Sequence, residues 1–245
     1  MSVSRNTITL IIAEAALETV PREIANHSAV TNHASRQGFK PSETLLDRSY
    51  HHAAMLKLEA NSKRGRPDII HFALMEALST PLFMKGLLRV YVHTINDKLI
   101  TIADNLRIPK SYFRFEGLMV NLFRDKVVKS EEGKVLLEIS DGTLARLLDT
   151  IKPDKVVGLS TTGVQGTAEK AVTENLADDC MFVIGGFPRG HFSENTTRFL
   201  NLTYSISEMG LEAHVVIARI LYECEKLLEK GVHHESYEKR GKIRA

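Results

Sequence analysis

Apolar positions along the chain alternate between two spacings, one that suits strands and one that suits helices. "ITLIIAEA" (8–15) is a short, nearly continuous apolar run rich in β-branched residues, the pattern of a buried strand. The stretch after it is polar as far as about residue 43, contains Gly38 and Pro41, and predicts a long loop. "LLDRSYHHAAMLKLEA" (45–60) sets Leu45, Tyr50 and Met55 among good helix formers, and a second helix opens at Pro67 with Ile70, Leu74 and Ala77 on one stripe. Ser79, Thr80 and Pro81 stop that helix. "LLRVYVHTINDKLITIADN" predicts two strands around an Asn96-Asp97 turn. "SYFRFEGLMVNLFRDKVV" (111–128) repeats Phe115, Leu118, Met119 and Leu122 at helical intervals. A strand in "EEGKVLLEIS" and a short helix in "TLARLLDTI" follow.

From about Pro153 the alternation becomes regular: strand "KVVGLS", helix "GTAEKAVTENLA", strand "CMFVIGG", strand "LNLTYSIS", and a long helix from Leu211 to Leu228. This predicts an α/β fold with a largely parallel sheet. The last residues, "HHESYEKRGKIRA", are too polar to join a core and are expected to fray.

The chain has 245 residues, enough for one large domain or two modest ones, and its 43% hydrophobic and 25% charged content is ordinary for a globular protein. A net charge of only +2 means that any anion-binding surface must come from local clustering of Lys and Arg. Cys180 and Cys224 lie in apolar segments without metal or redox spacing and are expected to pack as reduced thiols. The N-terminal apolar run is too short to span a bilayer, so a cytoplasmic protein is expected, and the sequons at Asn195 and Asn201 are discounted.

Ligands of open α/β sheets collect beyond the carboxyl ends of the strands. Here those ends are "GLSTTG" (158–163), "IGGFPRG" (184–190) and "YSISEMG" (204–210), where Gly185, Gly186 and Gly190 permit close backbone approach and Ser205 and Ser207 supply hydroxyls. The alternative is that these glycines merely end strands. No dinucleotide, nucleoside-triphosphate, zinc-protease, paired-cysteine or nucleophile-elbow motif is present, which weakens those readings and the metal reading with them.

Two basic clusters stand out. Lys63, Arg64 and Arg66 crowd the start of the helix at Pro67, where the positive end of the helix dipole repels cations unless an anion comes close. Asp68 and His71 share a face of that helix and are a candidate acid–base pair, though a structural histidine is the commoner outcome. In "RIPKSYFRF", Arg107, Lys110 and Arg114 fall at spacings of three and four with Tyr112, Phe113 and Phe115 between them. Such a row can follow a phosphate backbone and hold an unstacked base, or can be a solvated amphipathic face.

Taken in order, "RPDIIHFALMEAL", "STPL", "LLRVYVHT", "RIPKSYFRFEGLMVNLF", "VIGGFPRG" and "YSISEMGLEA" resemble the ribosomal-RNA pseudouridine N1-methyltransferase family of archaea and eukaryotes, over about residues 8 to 229. The resemblance implies a SPOUT-type α/β fold with a C-terminal trefoil knot, helices on both faces and added hairpin strands. Residues 1–229 would form the single domain, with RNA-binding elements inserted around 45–135, and 230–245 a basic tail. It further implies a homodimer, without metal or membrane attachment, that uses S-adenosyl-L-methionine to methylate N1 of a pseudouridine in small-subunit ribosomal RNA.

The family's cofactor positions map onto Leu159, Gly185, Gly190, Tyr204, Ser205, Ile206, Ser207, Glu208 and Met209. Its rRNA-contacting positions map onto Arg66, Arg107, Lys110 and Arg114. Asp68 would hold Arg66 or face the target base and assist loss of its proton. Asp47 and His51 would border the site, unless Asp47 simply caps a helix. Lys110 stands where arginine is common in the family, and Pro188 fixes the backbone of a cofactor loop. The competing readings are a non-catalytic rRNA-binding assembly factor and a SPOUT enzyme acting on another nucleotide.

Overall fold

The computed structural model describes residues 7–176 and 179–241. Its elements run β1 (Ile8–Ala15), α1 (Ser28–Gln37), α2 (Arg48–Met55), α3 (Pro67–Ala77), α4 (Pro81–Met84), β2 (Leu88–Thr94), β3 (Lys98–Ile102), α5 (Tyr112–Asp125), β4 (Val127–Lys129) and β5 (Val135–Asp141). They continue with α6 (Leu144–Ile151), β6 (Lys155–Gln165), α7 (Ala168–Thr173), β7 (Cys180–Gly185), α8 (Glu194–Thr197), β8 (Leu202–Ser205) and α9 (Ala213–Gly241). The strands form one sheet in the order β4-β5-β3-β2-β1-β7-β6-β8. From β2 to β8 neighbouring strands are parallel, and β3, β5 and β4 extend the other edge in antiparallel pairs.

All eight residues of β1 are buried, as expected of a central strand covered on both faces. Leu10 and Ile12 of β1, with Phe182 and Ile184 of β7, face α3, α5, α7 and α9, while Ile11, Met181 and Val183 point the other way towards α6. Each fully buried Leu, Ile or Phe contributes about 1.5–3 kcal/mol, so most of the core lies on the α3–α9 side. Helices thus cover both faces, unequally.

Several expected boundaries move. The polar stretch after β1 is no long loop. It holds α1, whose first N–H groups include one donating to the His27 side chain and which ends at Gly38 with φ +73°. Only Val30, His33 and Ala34 of α1 are buried, so its apolar face was too narrow to register as periodicity. With α2 it encloses a small satellite core of Val20, Ile24, Val30, Leu46 and Met55. The helix expected over 45–60 shrinks to α2, α5 ends at Lys126 with φ +66°, and "VVK" leaves the helix to pair as an edge strand. At the C-terminus α9 continues to Gly241 through most of the expected tail, of which 242–245 lie outside the described residues.

Candidate functional site

The parallel strands β6, β7 and β8 end beside one another, and a cavity of about 440 Å³ opens there. Between Leu159 and Val164 strand β6 bulges and returns to pair with β8 a second time. Gly163 permits this, because a Cβ would lie 2.6 Å from the backbone of Thr203 and Tyr204. Gly185 ends β7 with the Phe187 ring only 2.8 Å from where a Cβ would stand, and Gly190 has φ +94°. The third wall is a turn in which Ser205 Oγ donates to the Ser207 carbonyl at 2.9 Å and the Met209 N–H donates to Ser207 Oγ at 3.1 Å. The Tyr204 hydroxyl donates to Glu174 at 2.7 Å and accepts from Asn175 at 3.2 Å, anchoring the strand end to the residues after α7. Ile69 of α3 and Val216 of α9 close the apolar side, and Glu212 stands at the rim.

The start of α3 explains the crowded cations differently from the expectation that an outside anion is needed. Lys63 Nζ bonds Glu14 at 2.7 Å, donates to the His191 carbonyl and lies 4.4 Å from the Phe187 ring centroid. Arg64 makes a two-pronged pair with Glu18 at 2.7 and 2.6 Å, and Asn96 donates to the same carboxylate. Glu14 is buried in left-handed backbone, φ +50°. Burial pushes its carboxyl up, but the Lys63 ammonium and donors from Ser193 and Thr196 outweigh burial and hold it below the usual range. Lys63 and Arg64 are therefore neutralised from within. Arg66, at the N-cap, pairs with the partly exposed Asp68, through Nε at 2.8 Å and Nη2 at 2.7 Å, and with no other carboxylate among the described residues.

One turn further, His71 Nε2 donates to the Pro109 carbonyl at 2.7 Å, so that nitrogen carries the ring proton, and the ring stacks on Phe115 at 4.6 Å. The acid–base pair allowed by the Asp68–His71 spacing is not formed: Asp68 is taken by Arg66, and His71 fastens the "RIPK" segment to α3. Arg107, Lys110 and Arg114 beyond it are exposed and have no carboxylate partner among the described residues. Asp47 caps α2 through the Ser49 N–H at 2.7 Å and accepts the Tyr112 hydroxyl at 2.7 Å. Its own N–H donates to His51 Nδ1 at 3.1 Å, which places the His51 proton on Nε2, facing His33 Nδ1 at 3.0 Å.

A family model described as "EMG1/NEP1 methyltransferase" matches residues 10–225. The chain belongs to the EMG1/NEP1 methyltransferase family. It is 37% identical over 223 residues to the "Ribosomal RNA small subunit methyltransferase Nep1" of Staphylothermus marinus, covering 91% of this chain and 97% of that protein. It is 45% identical over 221 residues to the protein of the same name from Thermococcus kodakarensis, covering 89% and 98%. The crystal structure of Archaeoglobus fulgidus Nep1 bound to S-adenosylhomocysteine superposes with a TM-score of 0.80 at 34% identity, covering 91% of this chain and 98% of that one.

In this family member the residues singled out by resemblance fall into two neighbourhoods joined by α3. Leu159, Gly185, Gly190, Tyr204, Ser205, Ile206, Ser207 and Met209 line the cavity, and Glu208 does not. Arg66 and Asp68 stand three positions and one position before Ile69 of the cavity wall, and His71 of α3 bonds the segment of Arg107 and Lys110. Sequence reasoning missed Glu14, Glu18, Ile69, Phe187 and Glu212. The only available signal was a pair of carboxylates, Glu14 and Glu18, at the end of an apolar strand, where burial demands a cationic partner.

Proposed function

We propose that the chain methylates N1 of a pseudouridine in small-subunit ribosomal RNA, with S-adenosyl-L-methionine as methyl donor, as a step in ribosome biogenesis in the cytoplasm. The observation that carries this reading is that α3 places Ile69 in the cavity wall, holds the Arg66–Asp68 pair at its start, and is tied through His71 to the Pro109 carbonyl of the segment that carries Arg107 and Lys110. A donor in the cavity and an RNA on those cations would meet at one helix.

The residues present fit the donor. The cavity has the size of a small-molecule site, and Leu159, Ile184, Ile206 and Val216 give it apolar walls for a nucleobase. The serine turn at 205–207 and the rim carboxylate Glu212 supply polar atoms for a ribose and an ammonium group. When bound, the sulfonium cofactor supplies an electrophilic methyl carbon. The protein's part is alignment, which requires the target nucleotide to leave its stack and present N1 to the cavity mouth. Arg66 would meet a phosphate there, its guanidinium oriented by Asp68. Both Asp68 oxygens accept from Arg66, so we assign Asp68 to positioning the guanidinium. Arg107, Lys110 and Arg114 would follow the backbone of the same RNA.

The reading includes the knotted arrangement of the C-terminal strands and a homodimer. Exposed Phe72 on α3 and Tyr222 on α9 offer apolar surface to a second copy, and sedimentation equilibrium should return twice the chain mass. Methyl transfer from labelled S-adenosylmethionine to a hairpin with pseudouridine in its loop, absent from the matching uridine hairpin, is the expected result. Tight binding of both hairpins without turnover would favour the assembly-factor reading instead.

A further inference from the structure

The three aromatic residues interleaved with the cations of "RIPKSYFRF" have different fates. Phe115 is wholly buried beneath His71, and the Tyr112 hydroxyl is engaged by Asp47. Phe113 is 74% exposed, and among the described residues no ring or cation of the chain packs on it. It lies in the first turn of α5, in sequence between Lys110 and Arg114, neither of which has a carboxylate partner among the described residues. One helical turn on, at the position that shares its face, stands Gly117. A Cβ added to Gly117 would meet nothing within 4 Å, and its backbone is helical, so neither crowding nor an unusual φ accounts for a glycine in a helix interior, where alanine is favoured. The chain thus leaves partly exposed backbone on the same helical face as an exposed ring, close in sequence to three exposed cations.

We propose that Phe113 and the backbone at Gly117 form a shelf on which an unpaired base of the substrate RNA stacks, while Arg107, Lys110 and Arg114 hold its flanking phosphates. The proposal rests on the RNA-methylating reading and assigns the base, which that reading left without a partner on this surface. A flat π-face beside cations is the arrangement that binds single-stranded nucleic acid with little sequence preference. Missing side-chain bulk at Gly117 lets the base slide over the helix instead of standing off it. The shelf therefore holds a nucleotide of the loop and orients the strand that delivers the target.

Binding of the pseudouridine hairpin, measured over a range of salt, separates stacking from charge. Phe113→Ala should weaken affinity roughly five- to hundredfold at every salt concentration, leaving the slope of log K against log salt unchanged, and Phe113→Trp should restore it. Gly117→Leu should retain or raise the melting temperature and still weaken binding. Phe113→Ala binding as tightly as wild type, or losing affinity only through a smaller salt slope, would overturn the shelf. In that case normal methyl transfer by the wild-type chain would leave the enzymatic reading standing. A wild-type chain that neither binds nor methylates the hairpin would overturn both.

Discussion

Arg66, Lys63 and Arg64 sit within four positions of one another and do different physical work. Lys63 neutralises a buried carboxylate, so Lys63→Met leaves Glu14 charged and unpaired and should destabilise the fold by about 3–5 kcal/mol. Arg66 pairs with Asp68 near the surface, and Arg66→Met should change stability by no more than about 1 kcal/mol while RNA binding suffers. Urea unfolding of the two variants checks the contrast, and equal losses would contradict it. Arg107→Ala should lower RNA affinity and reduce the salt slope by about 0.9, leaving S-adenosylhomocysteine binding unchanged by calorimetry. Gly185→Val should do the reverse, because its side chain must displace the Phe187 ring from the cavity wall. Calorimetry with S-adenosylhomocysteine should then give no heat, and a normal titration would remove the cavity assignment.

At the scale of elements, α1 and α2 are joined to α5 by a chain of neutral histidines and one carboxylate. Burial, and after it the neighbouring His33, lower His51 from 6.5 to about 4, and burial lowers His33 too. A base whose folded pKa is depressed binds its proton first in the unfolded state, so this stability is present above pH 6.5 and drains away as pH falls towards 4. For His51 the loss by pH 5 is about 2 kcal/mol. Urea midpoints at pH 7 and pH 5 should show it in the wild type and a smaller change in His51→Gln, whose amide does not titrate; parallel midpoints would contradict the account. The apolar runs of β1, β6 and β7 were legible because burial on both faces leaves nothing else in them. α1 was not, since three buried residues in ten make too weak a stripe. The Asp47 cap was legible locally, whereas its bond to Tyr112, 65 positions away, depends on how α5 crosses α2.

For the whole molecule, the three strand ends were readable as neighbours around one crevice because their small residues sit where parallel sheets leave one, and they do line a common cavity. What closes that crevice came from elsewhere: Ile69 from α3, Val216 from α9, and the Lys63–Glu14 clasp that holds the loop at His191. These contacts join positions far apart in the chain, and no local pattern encodes them. Helix α3 thereby contributes Ile69 to a cavity of about 440 Å³ and carries the Arg66–Asp68 pair at its start. The most direct test is to let the wild-type chain act on the pseudouridine hairpin with S-adenosylmethionine, digest the RNA to nucleosides and locate the methyl group by mass spectrometry. Methyl on N1 of the pseudouridine is the predicted result; methyl on a ribose oxygen, on another base, or nowhere would contradict it.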